Sequence, residues 1–550
     1  MVTWLAGKLG FVSKKRVRDR LRGSVSQRFD AAAQTPQTRK HWAHADGMAA
    51  DVAADPATRT ILRNRARYER FNNPYMAGQL RTLANDVIGI GPALQLLTPN
   101  ESVNTNVEAR FDEWAEAARL ASKLRMVREV RAADGEIFIR LVHNPMLRTP
   151  VKLDIALIEA DQCFSPSFSV WDDQPDGIEL DRYGNPAFYW FAKNHPGDIG
   201  LGSFSPDDFT RVPARDVMHF FKQERPGQHR GLPEIVSSLN LHAERRNYRQ
   251  STLTAARAVA SLGAVILSTE TEADINELPA EFDSIEIEQG MMTQAPYGTK
   301  ASQMRPEQPS TTYRDFNEQL INEQARPLNM PFNIAAADSS KYNFASGRLD
   351  HQVYDRTVRI DQQEIEDIIL RPIIQAWSLE ATSIPNYLPG RAGQVYLPDR
   401  KDPDWLVPCL WIWGDRDHVD PAKEASATET RLRTRTSTLA VEYARTRRDW
   451  RDEIHQSGRE REALDAAGLW QADAQLAPRI LEVVKAIPQI GKLAAIEMLL
   501  VFGVPESRAA VIVEHASKQP PPVVVPPNPT ADLNGSASRN GRGRILEVSR

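Results

Sequence analysis

GLPEIVSSLNLHAERRNYRQSTLTAARAVASL (231–262) is the stretch on which the fold turns. Gly231-Leu232-Pro233 opens a helical segment that runs to about Leu262. Its apolar residues gather at the ends: Leu232, Val236 and Leu239, then Leu253, Ala256 and Ala260. The middle, His242 to Thr252, is nearly all polar, with Glu244, Arg245, Arg246, Asn247, Arg249 and Gln250. A helix polar all round has little core to lie on, so this middle is predicted to be exposed or to face water in a channel. The small residues Ala255, Ala256, Ala258 and Ala260 let neighbouring backbones come close.

Upstream, residues 108–222 read as an α+β unit. A helical block at 108–132 is followed by the turn Asp134-Gly135 and the strand GEIFIRLV. VKLDIALIEA (151–160) alternates apolar and polar residues, as a half-buried strand does. The turn Tyr183-Gly184-Asn185-Pro186 leads into the aromatic strand AFYWFA, and Val217–Phe221 is short and apolar. The sheet should be mostly antiparallel. Further upstream, Asn73-Pro74 opens a helix with Asn as N-cap, Leu80, Leu83, Ala84 and Val87 on its buried face, and Gly89 as its stop. Residues 1–60 look irregular; between Lys8 and Arg28 they hold eight Lys/Arg and one Asp, read as a solvated face rather than a nucleic-acid arm.

Downstream, residues 270–288 contain eight acids and no base, including Glu281, Asp283, Glu286 and Glu288. A second helix is capped near Thr311 or Thr312 and ends before Pro327. The loop LNMPFNIAAADSSKYNFASG follows, and then a long helix from about Ser346 with Tyr354, Val358, Ile365 and Ile369 on one stripe. Pro372 should kink or end it. Leu410–Trp413 is a short strand, and Asp420-Pro421 caps another helix. Residues 421–468 are helical and Arg-rich, and 475–516 hold two or three more helices. From Lys518 the sequence PPPVVVPPNPT and its Gly/Ser/Asn-rich end are too poor in large side chains to fold.

Bulk properties narrow the function. The 550 residues carry a net charge of −4, which argues against a simple DNA-clamping module but not against a protein that lets DNA slide past. The two cysteines, Cys163 and Cys409, build no disulfide framework or CxxC metal site and read as indifferent thiols. Apolar runs fall short of a membrane span, and the N-terminus places its apolar part before its basic part, the reverse of a secretory signal. The chain is therefore expected to be cytoplasmic when made. There is no GxxxxGK[ST] phosphate loop, no GxSxG elbow and no HExxH. Asp415, Asp417 and His418 form a weak candidate for a divalent cation, which a metal-dependent nuclease or hydrolase would use; Asp420 is explained by the helix cap alone. A third reading is an acidic interaction scaffold.

RNRARYERFNNPYMAGQLRTLANDVIGIG (63–91), DGEIFIRL (134–141), LIEADQ (157–162), GIELDRYGNPAFYW (177–190), RVPARDVMHFFKQERPGQHRGLPEI (211–235), AARAVASLGAVI (255–266), SKYNFASGRL (340–349) and DHVDPAKEASA (417–427) together resemble the lambda-type portal proteins of tailed phages, in collinear order over about residues 40–465. The resemblance implies a mainly helical α+β portal fold. It has a wing with an antiparallel sheet, a two-helix stem, a clip, a tunnel loop, a long kinked helix and a helical crown. It also implies a ring, usually of twelve copies, and no enzyme activity or cofactor. By order along the chain, residues 1–59 become a basic arm, 60–230 the wing, 231–266 the first stem helix and 267–310 the clip. Residues 311–327 become the second stem helix, 328–345 the tunnel loop and 346–378 the long helix. Residues 379–468 return to the wing and crown, 469–517 supply crown helices, and 518–550 form a disordered tail.

The implied role is a conduit at one capsid vertex of the virion, assembled in the host cytoplasm, through which double-stranded DNA is packaged and later ejected. The implied partners are the terminase large subunit, the head–tail adaptor, the major capsid protein and the scaffold, with a possible part in starting procapsid assembly and no membrane. Because each neutralised phosphate adds salt-dependent affinity, a conduit needs sparse cations along its lining. Lys341, Asn343, Asn333, Arg245, Arg246 and Arg249 are the residues expected nearest the DNA. For the three arginines, pairing with Glu244 of a neighbouring copy competes with that role. The clip acids Glu281, Asp283, Glu286 and Glu288 are expected to dock the motor and the adaptor.

Overall fold

The computed structural model describes residues 35–518 apart from 44, 167–174, 199–203, 262–264, 269–298, 303–311, 389–406, 415–420, 446–447, 449, 468–476, 503 and 505. The chain divides into two units, Met1–Arg447 and Arg448–Arg550. Both are mainly helical, and the first carries small antiparallel sheets.

After two short helical turns, the first unit opens with α1 (Pro56–Asn72), in a region expected to be irregular up to residue 60. Asp55 caps it, accepting from the Thr58 amide at 2.7 Å, with Pro56 in the first position. Its buried residues are Arg59, Arg63, Ala66 and Glu69, a mostly charged stripe. Hydrophobic periodicity does not reveal such a helix, because its inner face is held by ion pairs. α2 (Pro74–Ile88) buries Leu80, Leu83, Ala84 and Val87 as expected and stops at Gly89, which takes φ +55°. Asn73 precedes α2 without capping it; its side chain instead donates to the His242 carbonyl at 3.3 Å.

The helical block expected at 108–132 is two helices, α3 (Glu101–Ala117) and α4 (Leu120–Asp134), separated by Arg119 in the left-handed region. One sheet has the order β3 (Leu153–Ile158), β2 (Glu136–His143), β7 (Val217–Phe221). A second has β4 (Ile178–Leu180), β5 (Pro186–Ala192), β6 (Phe209–Pro213). Both are antiparallel, with Phe138 opposite Ile158 and Tyr189 opposite Val212. An unanticipated pair joins β1 (Ala93–Leu96) to β10 (Cys409–Ile412), with Leu94 opposite Trp411. Trp114 and Trp377 are fully buried in the main core, and Trp114 donates to the Leu153 carbonyl at 2.7 Å.

Two expectations about the decisive stretch are corrected. The helix does not start at Gly231: a 3-10 turn at Val236–Ser238 leads into α5 (Leu239–Ser261), because the residues before it are tied to the sheet. Nor is its polar middle exposed all round. His242, Arg245 and Thr252 are buried, and α5 lies against α1; Glu244, Asn247 and Gln250 face solvent. The inner face is polar because the face it meets is polar too, with Glu69 and Asn73 as its partners.

β8 (Val265–Ser268) and β9 (Thr299–Ser302) pair antiparallel. α6 (Tyr313–Ala325) follows. The expected tunnel loop then contains a short helix, α7 (Phe332–Ala336), packed against α2, with Asn329 and Ala337 in the left-handed region on either side of it. α8 (Phe344–Ile365) begins two residues before the expected Ser346. Pro372 neither ends the helix nor leaves it regular. The chain passes through a π-helical turn, Glu366–Leu370, and continues as α9 (Arg371–Ser383). Proline lacks the N–H that would bond the Ile368 carbonyl and its ring crowds that oxygen, and the wider turn relieves both. Ile369, Leu370, Ile373, Ile374 and Trp377 anchor this stretch in the core. α10 (Pro421–Arg433) and α11 (Leu439–Arg445) complete the described part of the unit.

The second unit contains α12 (Trp450–Ala466) and three helices, α13 (Ala477–Ile490), α14 (Lys492–Val501) and α15 (Glu506–Lys518). The last three enclose a core of Val483, Ile487, Ala495, Leu499, Val504, Ala509 and Val513. No helix among the described residues is long and apolar enough to cross a membrane. Burial pushes the Cys163 thiol up to about 12 and the Cys409 thiol up to about 11, so both stay protonated at neutral pH.

Candidate nucleic-acid interface

The expected DNA-facing residues fall into two groups. Lys341 and Asn343 sit at the surface just before α8. Lys341 is half-exposed and pairs with Glu318 of α6, with Asp315 at 3.6 Å. The hydrogen bond to Glu318 raises the Lys341 pKa; the bonds from Lys341 and Arg314 lower that of Glu318. Asn343 caps α8: its side chain accepts from the Ser346 amide at 2.8 Å, and the Ser346 hydroxyl accepts from the Asn343 amide at 3.2 Å. Asn333, by contrast, lies in α7, is buried, and meets His351 at 2.9 Å.

Of the three α5 arginines expected near the DNA, two are tied to their own chain. Arg245 is only 2% exposed, donates to Asn73 Oδ1 at 3.0 Å and lies over the Tyr75 ring at 4.4 Å. Burial lowers its pKa. Arg246 pairs with Glu69 at 2.9 Å and covers Tyr68. These partners belong to the same chain, where pairing with Glu244 of a neighbour was the expected alternative. Arg249 is half-buried. The clip acids Glu281, Asp283, Glu286 and Glu288 lie outside the described residues, as do Asp415, Asp417 and His418.

What sequence reasoning missed is a set of ionic clusters that tie the sheet and the helices together. Gly135, at φ +95°, and Gly231 touch backbone to backbone; a Cβ on Gly231 would stand 2.2 Å from the Gly135 carbonyl oxygen. That approach brings Arg230 onto Glu136, Nη2 to Oε1 at 2.7 Å, while Oε2 accepts from the Gly231 amide at 2.8 Å and meets His219 Nε2 at 3.0 Å. Glu136 is fully buried. Burial pushes its pKa up, but Arg230 and His219 outweigh burial and hold it well below the usual carboxylate range. Burial keeps His219 below its ordinary value, and therefore neutral at pH 7.

A second cluster ties α4 to α8 through the segment before α5. Arg128 meets Glu234 at 3.0 Å and Asp361 at 2.7 Å, while Arg131 meets Glu234 at 2.9 Å and Glu364 at 2.7 Å. A third sits at the sheet edge. Glu159, Asp161 and His195 place ligand atoms within 4.8 Å of one another, the spacing of a cation site. There the Arg67 guanidinium already spans the two carboxylates, at 3.0 and 2.7 Å. Only the first cluster left a trace in the sequence: Glu136 and Arg230 stand next to Gly135 and Gly231, inside the collinear blocks.

The model of the family described as phage portal protein, lambda family, matches residues 35–362. A protein of Halomonas phage phiHAP-1 described as "Probable portal protein" is 25% identical over 426 residues, covering 72% of this chain and 79% of that one. Among solved structures, a chain from the virion of a native gene transfer agent particle aligns with TM-score 0.37 and 12% identity over 68% of this chain and 88% of its own length. A chain from the neck of that native particle, computed with C12 symmetry, gives TM-score 0.35 and 12% identity over 62% and 94%.

Proposed function

Because the chain belongs to the lambda family of phage portal proteins, we propose that copies of it form a ring, of twelve in the virion, at one capsid vertex. Double-stranded DNA is driven through that ring by the terminase large subunit and later leaves by it. The ring also seats the head–tail adaptor, contacts the major capsid protein and scaffold, and starts procapsid assembly. The observation that carries this reading is the reach of the family match, which runs unbroken through the Gly135–Gly231 contact, α5, α6 and most of α8.

The DNA path is proposed to run past Lys341 and Asn343. Lys341 shares its charge with Glu318 and Asp315, so a phosphate passing it competes with two carboxylates already in place. Such a contact is weak and exchangeable, as a sliding polymer requires. Arg245 and Asn333 take no part in this path, being buried against their own chain. The clip acids Glu281, Asp283, Glu286 and Glu288 remain the proposed docking face for basic surfaces of the motor and adaptor. Electron microscopy of the purified full chain tests the reading. Closed rings with a central opening are expected, and solitary particles at micromolar concentration would overturn it.

A further inference from the structure

Arg245 differs from the other buried arginines among the described residues. Arg59, Arg63, Arg128, Arg131 and Arg230 each meet a carboxylate, at Asp176, Asp161, Asp361, Glu234 and Glu136 in turn. Arg245 forms no ion pair among the described residues. Its Nη2 donates to the neutral Asn73 side chain, and its guanidinium lies over the Tyr75 ring. Glu69, whose charge acts on it, is already bound to Arg246 at 2.9 Å, and Arg249 adds a second charge of the same sign. A ring face offsets part of a guanidinium charge, but an ion taken out of water needs a counter-charge.

Donors without acceptors lie along the same seam between α2 and α5. Arg245 Nε is shut off from water and meets no acceptor. His242 stands three residues earlier on the same face of α5. It is fully buried, and neither ring nitrogen has a partner. A neutral imidazole carries one N–H, so one more donor is unmet. Gln79 is one turn beyond Tyr75 on α2, buried, with its Nε2 likewise unmet. Buried donors are normally satisfied, and three unmet ones beside an uncompensated cation are complementary to an anion. A water molecule would answer the donors and leave the charge. A phosphate carries up to two charges and several acceptor oxygens, more than one guanidinium and two neutral N–H groups can satisfy. We propose that a halide ion, chloride in ordinary buffers, is held between α2 and α5 by Arg245, His242 and Gln79, and completes the seat of α5 on the core. Every group involved lies in one chain, so the inference stands apart from the portal reading.

The test melts the full chain while sodium gluconate is replaced stepwise by sodium chloride or sodium bromide at fixed ionic strength. Both halides are expected to raise the melting temperature along a saturating curve, by about 1–2 °C at the plateau. Arg245→Met should abolish that rise. No rise, a rise that persists in Arg245→Met, or a larger rise with phosphate than with halide would overturn the proposal. Because Arg245→Met also alters packing, a second measurement uses the unsubstituted chain: anomalous diffraction at the bromine edge from crystals grown in bromide. A peak beside Arg245 Nε and the His242 ring is expected. Density there without anomalous signal contradicts the proposal, and a peak without the thermal rise means binding at crystal concentration only and counts against it as well.

Discussion

The cluster around Glu136 and the surface around Lys341 use the same chemistry to opposite ends. At Glu136 a carboxylate is removed from water and surrounded by Arg230, His219 and the Gly231 amide. At Lys341 an ammonium group stays half in water beside Glu318 and Asp315. Breaking a buried pair leaves an uncompensated charge in a dry place; breaking an exposed one leaves a hydrated ion. The first arrangement therefore fixes geometry, holding the sheet to the segment that launches α5. The second fixes little, and keeps a cation beside the proposed DNA path without making it grip.

Four changes test this contrast. The largest effect is expected from Glu136→Ala, which strands Arg230 and should cost about 3–5 kcal/mol in chemical denaturation; a loss under 1 kcal/mol would mean the cluster is not what holds the sheet. Next is pH. Burial, with Arg245 nearby, pushes His242 down to about 4, and His219 is shifted the same way. A depressed folded-state pKa means the unfolded chain binds the proton first. The stability from His242 is thus complete above pH 6.5 and lost as pH falls towards 4, up to about 3 kcal/mol. His242→Leu should flatten that window in a pH series of melting curves, and an unchanged slope would contradict it.

Third is Gly231→Ala. The added Cβ meets the Gly135 backbone, which cannot give way as a flexible side chain would. A loss of about 1–3 kcal/mol is expected by thermal unfolding. The smallest effect belongs to Lys341→Ala, within about 0.5 kcal/mol of the parent. If it destabilises as Glu136→Ala does, the two regions are not different in kind.

Much of the fold was legible where turn chemistry and periodicity agree. Asp134-Gly135 and Tyr183–Pro186 announced β2 and β5, and the apolar stripe of α2 announced its buried face. α1 was not legible, because its buried stripe is Arg59, Arg63 and Glu69, and a charged residue gives no sign in sequence of being inside. The same reason hid the inner face of α5: Arg245 reads as a solvent residue until Asn73 and Tyr75 are seen beneath it. The β1–β10 pair escaped because its partners stand more than 300 positions apart, at residues 93–96 and 409–412. Of the candidate site, the order of the blocks pointed to the family, but the partners of Lys341 lie on a different helix, where local reading does not reach.

A chain that balances its own charges beside the proposed DNA path, as Lys341 is balanced by Glu318 and Asp315, touches the duplex lightly. The most direct measurement is the salt dependence of duplex binding by the purified assembly. Few phosphates neutralised per bound site predicts a shallow fall of log K with log salt, of slope about −1 to −2, shallower still in Lys341→Ala. A slope near −6 or steeper, the mark of many tight phosphate contacts, would contradict it.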